Sequence, residues 1–78
     1  MSKQAGILKV IHAVADLQDD PAPDESLFGS GALDSFTLPD LVTGLEQEFK
    51  IRIPDNDLVP ERFDSVAKIE AYLDKRAG

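Results

Sequence analysis

The sequence has no cysteine, so it can form neither a disulfide nor a thiolate metal site. Its core must hold without staples, which in a chain of 78 residues favours compact helix packing. His12 is the single histidine, and an unaided zinc site draws on several His, Cys or carboxylate ligands, so no metal site is expected. Basic residues are scarce: eight against fifteen acids, a net charge of −7, and none between Lys9 and Lys50. That balance argues against nucleic acid, which is bound by Lys and Arg neutralising phosphates, and against anionic membrane surfaces. Long apolar runs are missing too. Residues 1–17 are interrupted by Lys9 and His12, which leaves neither a signal-peptide core nor a bilayer span, and the expected compartment is the cytoplasm. A chain this short buries only about 60% of its unfolded surface. It is read as one domain over residues 1–78, without room for a large catalytic cleft.

What is present is helical patterning. Ile7, Val10, Ile11, Val14 and Leu17 step by three and four, the spacing of one helix face, with Ser2 available as a cap and His12 beside the stripe. Residues 18–34 lose the period; Asp19, Asp20, Pro21, Pro23, Gly29 and Gly31 make a long first loop, and Leu27, Phe28 and Leu33 are expected to pin it to the core. Its acids do not read as a calcium loop, because Pro21 stands where the EF-hand turn needs glycine. A second helix carries Leu38, Leu41, Val42, Leu45 and Phe49 on one face. Thr37 is the expected N-cap, Pro39 falls in the first turn where no N–H is needed, and Asp40 would close a capping-box-like pair. Gly44 inside this helix implies close backbone packing. Residues 51–54 read as extended and 57–63 as a short helical turn capped by Asp57. Ser65 then caps a last helix with Val66, Ile69, Tyr72 and Leu73 inside, and Lys75 and Arg76 at its dipole-favoured end. The expected fold is all-α, a three- to four-helix bundle with a long structured first loop.

Self-contained catalysis finds no support. A serine nucleophile needs an adjacent base, and His12, the one imidazole, belongs to another helix. Gly29-Ser30-Gly31 does not make a nucleophile elbow, and no phosphate-binding glycine loop is followed by Lys-Ser or Lys-Thr. No residue is assigned a catalytic role.

One segment stands out: Leu27-Phe28-Gly29-Ser30-Gly31-Ala32-Leu33-Asp34-Ser35-Phe36, just before the acidic helix. Downstream come Leu45-Glu46-Gln47-Glu48-Phe49, Ile51-Arg52-Ile53-Pro54-Asp55 and Phe63-Asp64-Ser65-Val66. In this register the chain resembles the acyl carrier protein family, the phosphopantetheine-bearing carriers of free-standing bacterial type, over essentially its whole length. The resemblance implies that a phosphopantetheinyl transferase attaches 4′-phosphopantetheine, taken from coenzyme A, to the Ser35 hydroxyl. The terminal thiol would then hold an acyl or aminoacyl group as a thioester. Two observations agree with this. A chain without cysteine must import any thiol, and Ser35 has no local base, which suits a hydroxyl activated by another enzyme.

The resemblance also implies a partner surface of Asp34, Phe36, Asp40, Thr43, Glu46 and Glu48, docking on basic patches of the transferase, of an acyl- or aminoacyl-activating ligase and of downstream acyl-transfer enzymes. Exposed ion pairs are worth about 0.2–1 kcal/mol each, so these acids would set steering and specificity more than affinity. Thr37, Leu38 and Pro39 stand where fatty-acid carriers have acidic and small residues, Gln47 replaces an acid and Thr43 a methionine. The expected role is therefore a monomeric carrier in a specialised pathway. A fatty-acid synthesis carrier is the alternative, and a non-covalent acidic interaction module is the alternative of a different class.

Overall fold

A computed structural model describes residues 3–15 and 19–77. Three α-helices run in the order α1 (Gln4–Val14), α2 (Leu38–Phe49) and α3 (Val66–Ala77), and two 3₁₀ turns, Asp55–Asp57 and Pro60–Phe63, lie between α2 and α3. No strand occurs among the described residues, and the all-α bundle is the fold expected. The expected cap Ser2 and the stripe residue Leu17 lie outside the described residues.

Helix α1 packs against both α2 and α3. It contributes Ile7, Val10 and Ile11 to the core; α2 adds Leu38, Leu41, Val42 and Leu45; α3 adds Val66, Ile69, Tyr72 and Leu73. At the start of α1 the capping position, Lys3, makes no side-chain cap bond. Glu70 of α3 supplies one, accepting from the Lys3 amide (3.1 Å) and the Gln4 side-chain amide (3.3 Å), while Lys3 Nζ pairs with Asp74 at 2.6 Å. A donor that would be orphaned at a helix start is thus satisfied across the bundle.

Gly44 has the packing role its place in the helix implies. A Cβ built there would lie 2.6 Å from Val10 Cγ1, closer than any relaxed contact. Gly44→Ala therefore sets about 1 kcal/mol of helix propensity against overpacking of about 1–3 kcal/mol. The second term wins because Val10 is buried and β-branched, with little freedom to yield. Urea titration is expected to show Gly44→Ala less stable than the parent, with Val10→Ala in the same chain reversing the sign of the alanine effect.

The first loop is held to the far end of the chain. Leu27 and Leu33 are buried and Phe28 packs against the core, as expected. The Asp64 carboxylate accepts from the Ser26 hydroxyl, 2.9 Å from both oxygens, and from the Phe28 amide at 3.0 Å. The Leu27 amide donates to the Asp64 carbonyl and the Ala67 amide to Pro23 (2.9 Å). The loop is therefore structured by a partner 38 residues away in sequence.

Asp57 does not cap a turn. The segment splits at Leu58-Val59 into the two 3₁₀ pieces, and the Asp57 carboxylate instead accepts from the Tyr72 hydroxyl at 2.6 Å. Burial first, and then this hydrogen bond, push the Tyr72 phenol up to about 12. Ser65 caps α3 as expected, its hydroxyl oxygen accepting from the Lys68 amide at 3.1 Å.

Candidate functional site

The turn before α2 is built on Asp34. The Asp34 Oδ1 accepts from the amides of Phe36 and Thr37, each at 2.9 Å, and the Thr37 hydroxyl oxygen accepts from the Asp34 amide at 2.8 Å. The Leu38 amide bonds back to the Asp34 carbonyl at 3.0 Å, so helical pairing begins there. This is a reciprocal capping box with Asp34 as cap and Thr37 as its answering residue. The expected pair of Thr37 and Asp40 is thereby corrected. Thr37 already has helical angles (φ −85°, ψ −17°) and makes no capping bond into α2, whereas a cap needs extended angles and a strong acceptor, and a carboxylate outcompetes a hydroxyl for that place. The Thr37 amide, with its hydroxyl and the Phe36 amide, holds the Asp34 carboxyl below the usual carboxylate range.

Ser35 follows the cap directly, exposed and outside the regular part of α2. The other described serines are engaged. Ser26 donates to Asp64, Ser30 to the Leu27 carbonyl at 3.3 Å, and Ser65 is buried and accepts from Lys68. Among the described serines only Ser35 has a hydroxyl without a hydrogen bond. The one histidine is not its partner: His12 Nε2 pairs instead with Asp20 Oδ1, at 2.6 Å. The arrangement offers a free hydroxyl at the positive end of a helix.

The residues expected around Ser35 separate into two groups. Phe36 is 89% exposed, and with Asp40, Thr43 and Gln47 it steps down one solvent face of α2. Glu46 and Glu48 do not join that row. They lie about 160° apart around the helix at 3.6 residues per turn, on opposite flanks. Glu46 is half-buried and accepts from the Ile53 amide at 2.7 Å, while Glu48 leans to α1 and lies 3.4 Å from Lys9 Nζ. Beside Glu46 an open groove of about 470 Å³ runs between α2 and the extended segment, edged by Pro39, Thr43, Arg52, Asp55 and Leu58.

The sequence reading gave Asp64 no role in the site, yet it fixes the loop that ends in Asp34 and Ser35. The Phe28 amide, then the Ser26 hydroxyl, hold its carboxyl below the usual range. No local pattern links Ser26 to Asp64; the signal was only that Asp64 stands in one of the segments that carry the family resemblance. Both carboxyls, Asp34 and Asp64, have folded pKa values below the ordinary 3.8. Their contribution to stability is complete above that value and is lost as the pH falls through the folded values. Melting temperatures taken from about pH 6 to about pH 2 should drop along this limb, and Asp64→Asn should flatten it. An acid limb unchanged in Asp64→Asn would remove Asp64 from this role.

Residues 5–73 match the family described as phosphopantetheine attachment site. The chain belongs to this family. It is a carrier protein of the acyl carrier type, and its cofactor is covalently attached 4′-phosphopantetheine. Carrier domains of this kind are non-catalytic and work with phosphopantetheinyl transferases and acyl-handling enzymes. Among the described residues no helix is long and apolar enough to cross a membrane.

Proposed function

We propose that Ser35 is the residue to which the phosphopantetheine is joined, and that this carrier serves an acyl- or aminoacyl-activating ligase and downstream acyl-transfer enzymes of a specialised pathway in the cytoplasm. The observation that carries the assignment is the free, exposed hydroxyl of Ser35 beside a saturated cap, where every other described serine is engaged. The site fits the group. The Ser35 amide is unpaired, and a phosphodiester at a helix start is favoured by the exposed N–H and the helix dipole. When attached, the group supplies a terminal thiol that holds the cargo as a thioester.

The chain's own residues do the rest. Asp34 fixes the turn so that Ser35 projects. Phe36 offers an apolar anchor for a docking enzyme, worth about 1.5–3 kcal/mol if fully buried. Asp40 and Asp34, within a net charge of −7, steer basic partners. Cargo that is aminoacyl or short fits best. Leu38, Leu41 and Leu45 are closed into the core, and the groove beside α2 is open to solvent, with Glu46, Arg52 and Asp55 among the residues that line it.

The test is intact mass after incubation with coenzyme A, magnesium and a broad-specificity phosphopantetheinyl transferase, followed by peptide mapping. A gain of one phosphopantetheine on the peptide holding Ser35 is expected. Attachment on Ser26, Ser30 or Ser65, or none with an active transferase and a folded chain, would overturn the assignment.

A further inference from the structure

The end of the first loop is a closed knot of hydrogen bonds. The Ser26 hydroxyl donates to the Asp64 carboxylate and accepts from the Gly29 amide at 2.9 Å. The Ser26 carbonyl accepts from the Ser30 amide (3.0 Å), the Phe28 carbonyl from Gly31 (3.2 Å) and the Leu27 carbonyl from Leu33 (3.0 Å). The knot has little slack: a Cβ built on Gly29 would stand 2.6 Å from Ser26 Oγ. Its last bond sets down the buried Leu33, after which the chain passes to the Asp34 cap and Ser35. Ser35 is therefore placed from two sides. The box of Asp34 and Thr37 fixes its turn on α2, and the knot fixes how the chain arrives there.

The knot is itself clamped by one side chain. Asp64 Oδ1 accepts from both the Ser26 hydroxyl (2.9 Å) and the Phe28 amide (3.0 Å), and Oδ2 takes the second share of the Ser26 hydroxyl. A carboxylate can accept in this way at both oxygens; an amide has one accepting oxygen. Without Asp64 the Leu27 amide still reaches the carbonyl of residue 64, and the Ala67 amide still reaches Pro23. The loop then stays tethered while the knot loses its fixed register.

We propose that Asp64 is a positioning residue for attachment to Ser35, holding the loop through Ser26 and Phe28 in the placement from which the Ser35 hydroxyl enters a transferase. The proposal rests on the reading of Ser35 as the attachment residue. In the transfer, the Ser35 oxygen bonds to the phosphorus of coenzyme A that bears the pantetheine. The pyrophosphate bridge breaks, adenosine bisphosphate leaves with the bonding pair, and the hydroxyl proton passes to a base of the transferase. Asp64 touches none of these atoms. It also shares no hydrogen bond with Phe36, Asp40 or Thr43, so its loss leaves docking on α2 intact and lowers the share of encounters that place the hydroxyl. A purely structural role has the opposite signature. A partly unfolded population reduces the concentration of competent carrier, which raises the apparent KM and leaves kcat unchanged.

The test uses the full-length chain with Asp64→Asn, Ser26→Ala and, as a control for lost stability, Ile69→Val in the core of α3. Amide hydrogen exchange of the apo chain comes first. In Asp64→Asn the amides of Phe28, Gly31 and Leu33 should exchange faster by a larger factor than those of Leu41 and Leu45, and in Ile69→Val they should not. Steady-state transfer from coenzyme A by a broad-specificity phosphopantetheinyl transferase comes second. In Asp64→Asn kcat should fall about tenfold at unchanged KM, Ser26→Ala should fall less because Phe28 keeps its bond to Asp64, and Ile69→Val should keep the parent's kcat. Loop exchange no faster than that of α2, a parental kcat, or a raised KM alone would overturn the proposal. Should Asp64→Asn fail to fold, Ser26→Ala decides by the same two readouts. Failure of the Ser35 assignment shows separately, as attachment to another peptide of the parent chain.

Discussion

Ser35→Ala is expected to gain no phosphopantetheine and to melt at the parent's temperature. The first half rests on the proposed attachment to Ser35, and the second on the Ser35 hydroxyl making no hydrogen bond among the described residues. Removing it subtracts nothing from the fold, and exposed substitutions of this kind stay within about 0.5 kcal/mol. The capping box survives because it is made by Asp34 and Thr37. Ser30→Ala should still be modified in full. Ser26→Ala should also be modified, but on a less stable chain, since it removes a donor to Asp64. Intact mass and a thermal scan on the three variants separate these outcomes. Residual mass gain in Ser35→Ala would point to another hydroxyl.

Phe63→Ala should produce the largest loss of stability of any single truncation. Phe63 is fully buried although it comes from a four-residue 3₁₀ turn, and it meets Tyr72 edge-on with ring centroids 5.2 Å apart. Phe→Ala in a core costs about 3–5 kcal/mol, and the aromatic pair adds about 0.5–1.5 kcal/mol. At about 0.05–0.15 kcal/mol per residue, a chain of this length has about 4–12 kcal/mol in all. The variant should therefore sit near or below its folding threshold at room temperature. Urea unfolding followed by far-ultraviolet circular dichroism measures this, with Phe63→Leu expected to retain most of the stability. A midpoint for Phe63→Ala close to the parent's would mean that the site collapses around the smaller side chain. Because Phe63 adjoins Asp64, the loss should also loosen the first loop and slow modification at Ser35.

Much of this was legible from local pattern. The apolar period placed α2 at Leu38–Phe49 and its buried face, because a helix that packs on one side must repeat its apolar residues every three or four positions. Gly44 was legible as a contact point because glycine is otherwise unfavourable inside a helix. The cap was misplaced by one turn. Thr37 and Asp34 are both capping residues, and spacing alone does not say which one the chain uses; the choice falls to Asp34 because its carboxylate can serve two amides at once. The side-chain contacts of the α2 acids were not legible. Acids counted along α2 do not show that Glu46 turns to the Ile53 amide and Glu48 to Lys9.

The sequence by itself determined the helical class, the core stripes, the acidic balance and the segment around Ser35, since these are read from composition or from residues within a few positions of one another. Only the tertiary structure decided which serine keeps a free hydroxyl, which acids of α2 face solvent, and how Glu70 caps a helix at the other end of the chain. The physical reason is that a hydrogen bond or an ion pair is made by whichever partner the packing brings within about 3–4 Å, and that partner can stand anywhere in the chain.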